Sequence, residues 1–245
     1  MTRALFLCCG SWVSHPVHGG VSIAIQSDDG SYALLDCGPG APPTMLTCGL
    51  DPCRLSFVLI THAHGDHVLG LPTLVMWRRF VCSKPTKIVA AEPVLNSVRT
   101  LLAVTGCPTF REVELVPAPI GREIEVDEFK VLLEEARHPV FTTIARICVD
   151  GACVAYSADT APNPKLIEIA RGCNLLIHEA SGVDSETMHR IGHSTPRDAI
   201  EIALASGVKR VALIHAGLEP ISIEGAPEGL RILVPYPCYA IDLRG

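Results

Sequence analysis

Residues 61–67 read Thr61-His62-Ala63-His64-Gly65-Asp66-His67, directly after the apolar stretch Phe57–Ile60. Four metal-ligand side chains fall within six positions, and this density constrains the chain more than any other feature. A buried unpaired carboxylate, or a cluster of buried imidazoles, carries a heavy desolvation cost. A divalent cation converts that cost into binding energy, because neutral imidazole and carboxylate are its preferred ligands. The geometry agrees. At the extended end of a strand, His62 and His64 point to one side. Gly65 then allows a bend, and the adjacent pair Asp66 and His67 is aimed at a neighbouring point. One segment can thus serve two metal ions.

Strand-like and helix-like patterns alternate along the whole chain. Strands are expected at 4–9, 20–26, 32–36 and 57–61, a helix over 68–80, a strand at 87–91 and a helix over 93–105. Further strands are expected near 113–116, 123–126 and 129–136. A hairpin, 144–149 with 152–157, should turn at Asp150-Gly151, a dipeptide suited to a two-residue type I′ turn. Helices over 163–171 and 195–206 alternate with strands at 174–178 and 209–215, and the tail 231–243 adds one or two strands. Pro-containing stretches at 39–43, 117–119 and 220–227 read as loops. Each half places strands before helices and ends strands in His or Asp. The expected architecture is an α/β four-layer αββα sandwich, formed by residues 1–245 as one domain, with its site at the sheet edge.

Composition excludes some function classes. No stretch approaches the roughly 18 apolar residues of a membrane span, and the start of the chain reads as a strand, so a cytoplasmic protein is expected. The formal charge of −6 supplies no global basic field for nucleic acid. It leaves a local site open, since bound metals add charge that the formal count omits. The eleven cysteines contain no C-x-x-C pair, which argues against a structural zinc knuckle. One Gln, three Asn, and fifteen Arg against five Lys lean toward a thermophile. In such a cytosol a few disulfides are compatible with the cysteine count; buried free thiols are the other reading. Cys148 and Cys153 would face each other one pair outward from the hairpin turn, close enough for a bridge or for two packed thiols.

Two metals need about seven protein ligands. Three more candidates stand at strand ends or beyond them: His138 before Pro139, Asp159 in Tyr156-Ser157-Ala158-Asp159-Thr160, and His215 before Ala216-Gly217. Each is ambiguous alone; as a set behind H-x-H-x-D-H they read as ligands.

With these seven positions in order, the chain resembles the metallo-β-lactamase superfamily over nearly its whole length. The resemblance implies the αββα fold and hydrolysis by a metal-bridging hydroxide. It implies one metal on His62, His64 and His138, a second on Asp66, His67 and His215, and Asp159 bridging them. Zinc is the first expectation because five of the seven ligands are imidazoles, with manganese or iron as alternatives. The segments Leu35-Asp36-Cys37-Gly38-Pro39-Gly40, His178-Glu179-Ala180 and Gly192-His193-Ser194-Thr195 resemble the ribonuclease Z group. That likeness implies His193 as proton donor to the leaving oxygen. Glu179 either orients His193 or pairs with an Arg. Asp66, His193 and Glu179 are therefore the catalytic candidates. Thr195-Pro196-Arg197-Asp198 also reads as an N-cap with Pro at N1 and an acid at N3.

The chain departs from that group in two places. His138 and Asp159 are only 21 positions apart, leaving no room for the protruding arm of transfer-RNA-processing members. The aromatic and Arg pair that follows the last ligand in that group is replaced by Ala216-Gly217-Leu218-Glu219-Pro220. The expected function is a dinuclear-metal phosphodiesterase acting on RNA ends or on small or cyclic nucleotide phosphodiesters. The competing readings are an ester, thioester or lactone hydrolase and a non-catalytic binding protein. Expected partners are a small phosphodiester or RNA and no membrane, with a homodimer allowed. His15 and His18 in the Gly-rich segment 10–20, and Arg111, Arg122 and Arg190, are further candidates for substrate contact, whereas His178 and His189 read as structural.

Overall fold

The computed structural model describes residues 1–13, 17–107, 112–217, 221, 223 and 227–245. The first half of the chain builds a seven-stranded sheet from β1 (Arg3–Cys9), β2 (Val21–Gln26), β3 (Tyr32–Leu35), β4 (Leu55–Leu59), β5 (Thr86–Ala90) and β6 (Val113–Pro117). The second half builds another from β7 (Ile124–Val126), β8 (Phe129–Glu135), β9 (Thr143–Val149), β10 (Ala152–Tyr156), β11 (Leu175–Glu179), β12 (Arg210–Ile214) and β13 (Arg231–Leu233). The last strand, β14 (Tyr239–Asp242), returns to pair antiparallel with β1. The strand orders are β14-β1-β2-β3-β4-β5-β6 and β13-β12-β11-β10-β9-β8-β7.

The two sheets face each other over an apolar layer. Ile23, Ile25, Phe57 and Leu59 from one meet Phe129, Val131, Ile147 and Ile177 from the other. Phe57 and Phe129 cross this layer edge-to-face with ring centroids 5.4 Å apart, a favoured aromatic geometry. The helices α1 (Ala41–Thr47), α2 (Gly65–Val68), α3 (Leu71–Trp77) and α4 (Glu92–Val104) flank the first sheet, where Met45, Leu74, Leu95 and Leu102 share a second apolar cluster with it. The helices α5 (Pro164–Ala170), α6 (Ser185–Arg190) and α7 (Pro196–Ser206) follow in the second half, and α5 and α7 form a third cluster with that sheet. Burying strands on both faces explains their near-continuous apolar runs. This is the expected αββα architecture. Among the described residues no helix is long and apolar enough to cross a membrane.

Two local expectations are corrected. The stretch 39–43 is not all loop, because Ala41 opens α1. Pro42 and Pro43 sit in its first turn, where a missing N–H costs nothing. The single helix expected over 68–80 is instead α2, then α3 with Pro in its first turn, then a π-type turn at Arg78–Cys82. Gly65 opens α2 directly after extended His64, so the chain turns there as expected. The expected loop at 220–227 lies largely outside the described residues.

Both cysteine readings hold in part. Disulfides join Cys48 to Cys238, Cys53 to Cys82 and Cys148 to Cys153, while Cys8, Cys9, Cys37, Cys107 and Cys173 are buried free thiols. The Cys148–Cys153 bridge forms where the hairpin register sets the two residues opposite each other, Cα atoms 4.1 Å apart. Asp150 and Gly151 both take positive φ, as a type I′ turn requires.

Candidate metal centre

The site lies where parallel strands end. β3 runs parallel to β4, and β10, β11 and β12 run parallel to one another. Their carboxyl ends deliver Asp36, His62, Asp159, Glu179 and His215 to one edge, the usual place for a site in such sheets. Backbone bonds from Thr143 N to Thr61 O and from His215 N to Cys9 O stitch the two sheets together there.

All seven expected ligands converge. His62, His64, His138 and Asp159 present ligand atoms within 4.8 Å of one another, as do Asp66, His67 and His215. Asp159 Oδ1 lies 3.2 Å from His67 Nε2 and 3.3 Å from His215 Nε2, and its Oδ2 lies 3.6 Å from His62 Nε2. Asp66 Oδ2 is 3.2 Å from His215 Nε2, and His64 Nδ1 is 3.4 Å from His138 Nε2.

Outer hydrogen bonds fix the imidazoles. His138 Nδ1 donates to the Gly192 carbonyl at 2.9 Å, and His67 Nδ1 donates to Asp36 Oδ2 at 2.8 Å. Thr61 Oγ1 donates to Asp36, so it accepts from His62 Nδ1 at 3.0 Å. Ser181 Oγ donates to Glu179 Oε2 and accepts from His215 Nδ1 at 2.8 Å. In each of these rings Nδ1 makes the outward bond and Nε2 faces the centre, which is how a metal-binding histidine is oriented.

The centre itself is unsatisfied. His62 Nε2, His67 Nε2 and Asp159 Oδ1 are buried and lack hydrogen-bond partners. Leaving such groups unpaired is costly, and a cation among them would satisfy all three. The donor set of imidazoles and carboxylates therefore fits divalent metal. The pKa pattern is consistent with a compact charged cluster. Burial, aided by the His67 charge, pushes His62 down to about 4. Burial also opposes charge on Asp159 and His67. For Asp159, His215 and His67 outweigh it and hold the carboxyl well below its usual range; for His67, Asp159 and Asp36 outweigh it and hold the ring well above.

The catalytic candidates stand beside this cluster. His193 Nδ1 donates to Glu179 at 3.0 Å, and the His193 ring packs against those of His138 and His215. Glu179 is buried and pairs with His193, not with an Arg; it also accepts from Thr160 N and Ser194 N. Burial disfavours the charged His193 ring, but the Glu179 carboxylate outweighs it and raises the pKa. Thr195 and Asp198 form the expected capping box on α7.

A cavity of about 650 Å³ opens over the cluster, lined by His64, Asp66, His138, Asp159 and His193 among others. His18, Arg122 and Arg190 do not line it. His15 and Arg111 lie outside the described residues. His178 is buried with Nδ1 donating to the Glu179 carbonyl, and His189 donates to Asp198, both structural as expected.

Three supporting groups were not singled out from sequence. Asp36 is fully buried at φ 56° and accepts from Thr61, His67 and Tyr156. An acid closing the apolar run of β3 was a usable signal. Ser181 and the Gly192 carbonyl carry no such signal. Gly192 stands at φ +84°, and a Cβ there would lie 2.4 Å from Pro139 Cδ and 3.1 Å from His138 Nδ1.

Two facing sheets, flanking helices and a His/Asp cluster at the strand ends define a metallohydrolase-type scaffold. The sequence matches the Beta-lactamase superfamily domain over residues 32–216, and the chain belongs to the metallo-β-lactamase superfamily. It is 27% identical to a ribonuclease Z of Methanothermobacter thermautotrophicus, covering 99% of this chain and 95% of that one. It is 29% identical to a ribonuclease Z of Pyrococcus abyssi, covering 96% and 92%. The first of these comparisons spans 294 positions against 245 residues here, so that relative carries segments without a counterpart in this chain. The fold is similar to that of the metallo-β-lactamase fold protein YhfI from Bacillus subtilis, with TM-score 0.85 at 17% identity over 99% of this chain and 100% of that one. It is also similar to that of the short form of human tRNase Z, with TM-score 0.81 at 19% identity over 98% and 99%.

Proposed function

We propose that this chain is a dinuclear-metal phosphodiesterase acting on RNA ends or on small or cyclic nucleotide phosphodiesters. The observation that carries the reading is the trio of buried, partnerless atoms at the centre of seven converging ligands. His62, His64 and His138 would hold one cation, and Asp66, His67 and His215 the other. Asp159, whose two oxygens face different histidines, would serve both. Zinc suits the imidazole-rich set. When bound, the ions would lower the pKa of water and stabilise charge on the reacting oxygens.

The chain's own residues do the rest. The attacking water forms a bond to phosphorus while the bond from phosphorus to the leaving oxygen breaks. Asp66 lines the cavity, where its carboxylate can take the proton that the attacking water loses. His193 holds one proton on Nδ1 against Glu179, which leaves Nε2 to deliver a proton to the departing oxygen. Glu179 fixes the ring and favours its charged form. The ribonuclease Z relatives support a phosphodiester over a carboxylic ester.

Metal-loaded protein tests this with bis(p-nitrophenyl) phosphate against p-nitrophenyl acetate. The reading expects the higher kcat/KM on the phosphodiester, relative to each uncatalysed rate. The opposite ranking would favour an esterase.

A further inference from the structure

The cavity over the metal centre has two unlike halves. Its floor is His64, Asp66, His138, Asp159 and His193, whereas its wall is Trp12, Pro39, Leu69, Pro139 and Ile191. Trp12 is 77% exposed, Leu69 54% and Ile191 44%, so this wall presents large apolar side chains to solvent. Apolar surface gathered around a concave polar site marks a ligand-binding wall, unlike isolated exposed apolar residues. The cavity's described lining contains no lysine or arginine. A strand of RNA gripped along its backbone needs a row of cations to meet successive phosphates. Among the described residues, this cavity gathers its cationic capacity at one end, the candidate metal centre with His193 beside it.

The size of the cavity agrees with a compact ligand. Pockets for small molecules run from roughly 300 to 1,000 Å³, and about 650 Å³ lies within that range. A substrate filling both halves would have one phosphate at the floor and a flat apolar group on the wall. An exposed indole is the side chain best suited to hold such a group by stacking.

We infer that the wall of Trp12, Leu69 and Ile191 binds a planar aromatic group, a nucleobase or an aryl ester, carried on a single phosphodiester. The inference rests on the phosphodiesterase reading for the phosphate end and names the substrate class for the same site. Trp12 is a specificity-determining residue in this arrangement.

Calorimetric titration of metal-loaded protein with thymidine 5′-monophosphate, phenyl phosphate and ribose 5-phosphate separates the two halves. Both aromatic phosphates should bind at least about tenfold tighter than ribose 5-phosphate, in line with stacking of one ring. Trp12→Ala, a change at an exposed position, should shrink that ratio toward one. Thymidine 5′-monophosphate binding more tightly than phenyl phosphate would assign the wall to a nucleobase; equal binding would assign it to any aryl group. Equal affinity for all three in the wild-type protein, no binding of any of them, or a ratio unchanged in Trp12→Ala, would overturn the inference. Aromatic preference that depends on Trp12, together with no hydrolysis of bis(p-nitrophenyl) phosphate, would leave the wall standing and remove the phosphodiesterase reading.

Discussion

His193 Nδ1 lies 3.0 Å from Glu179 Oε1, and the carboxylate is sealed from solvent while the imidazole borders the cavity. The acid is also gripped by Ser181 Oγ and by the Thr160 and Ser194 amides, so it cannot follow the ring if the ring moves. That fixed support is what a proton donor needs.

His193→Ala should therefore lower turnover by about 10²–10⁴-fold on phosphodiesters with poor leaving groups. The loss should shrink with p-nitrophenolate, which departs without protonation. Glu179→Gln should show a smaller loss with the same leaving-group trend. Steady-state kinetics over a series of aryl and alkyl leaving groups checks this, and an equal loss across the series would contradict proton donation.

Gly192 ties this loop to the metal centre, since its carbonyl accepts from His138 Nδ1. Gly192→Ala would place a methyl group into Pro139 at a positive φ. A non-Gly residue held there costs on the order of 1–3 kcal/mol. Lower thermal stability together with weaker metal retention is expected, measured by calorimetry and elemental analysis of the same preparation. Retention equal to wild type would show that the Gly192 contact does not position His138.

A second prediction about stability concerns pH. Burial pushes the Asp198 carboxyl up, but hydrogen bonds from Thr195 and His189 outweigh it and leave the pKa below its ordinary value. A depressed folded pKa stabilises the fold above the unfolded value, roughly 3.9, and the gain disappears as pH falls through the folded value. Asp198→Asn should cost about 0.3–1 kcal/mol near neutral pH, since it removes a negative charge from the first turn of α7 while Thr195 still caps the helix. Urea midpoints taken from pH 7 down to pH 3 should show the wild type and variant converging. A gap independent of pH would mean that the charge of Asp198 contributes nothing.

The parts of this molecule that were readable in sequence are those set by local pattern. The His62–His67 run carries four ligands in one segment. Strand-end positions exposed His138, Asp159 and His215 because apolar runs stop at them. The Asp150-Gly151 turn fixed the register that brings Cys148 to Cys153. What escaped notice depends on distant contacts. Ser181 joins His215 to Glu179 only because β11 and β12 lie side by side. Cys48 meets Cys238 across 190 positions. Trp12 gains meaning only when α2 and the loop after β8 bring Leu69 and Pro139 beside it. The proline-bearing stretches misled in the opposite sense, since Pro in a first helical turn starts a helix as readily as it marks a loop.

Metal content per chain tests the central claim most directly. Protein produced with ample zinc, then freed of loosely bound ions, should carry two metal ions per chain by elemental analysis. Asp159→Ala should lower occupancy at both positions, because this carboxylate stands within 3.6 Å of His62 on one side and 3.2 Å of His67 on the other. One ion or none in the wild-type protein would contradict the dinuclear centre on which the account rests.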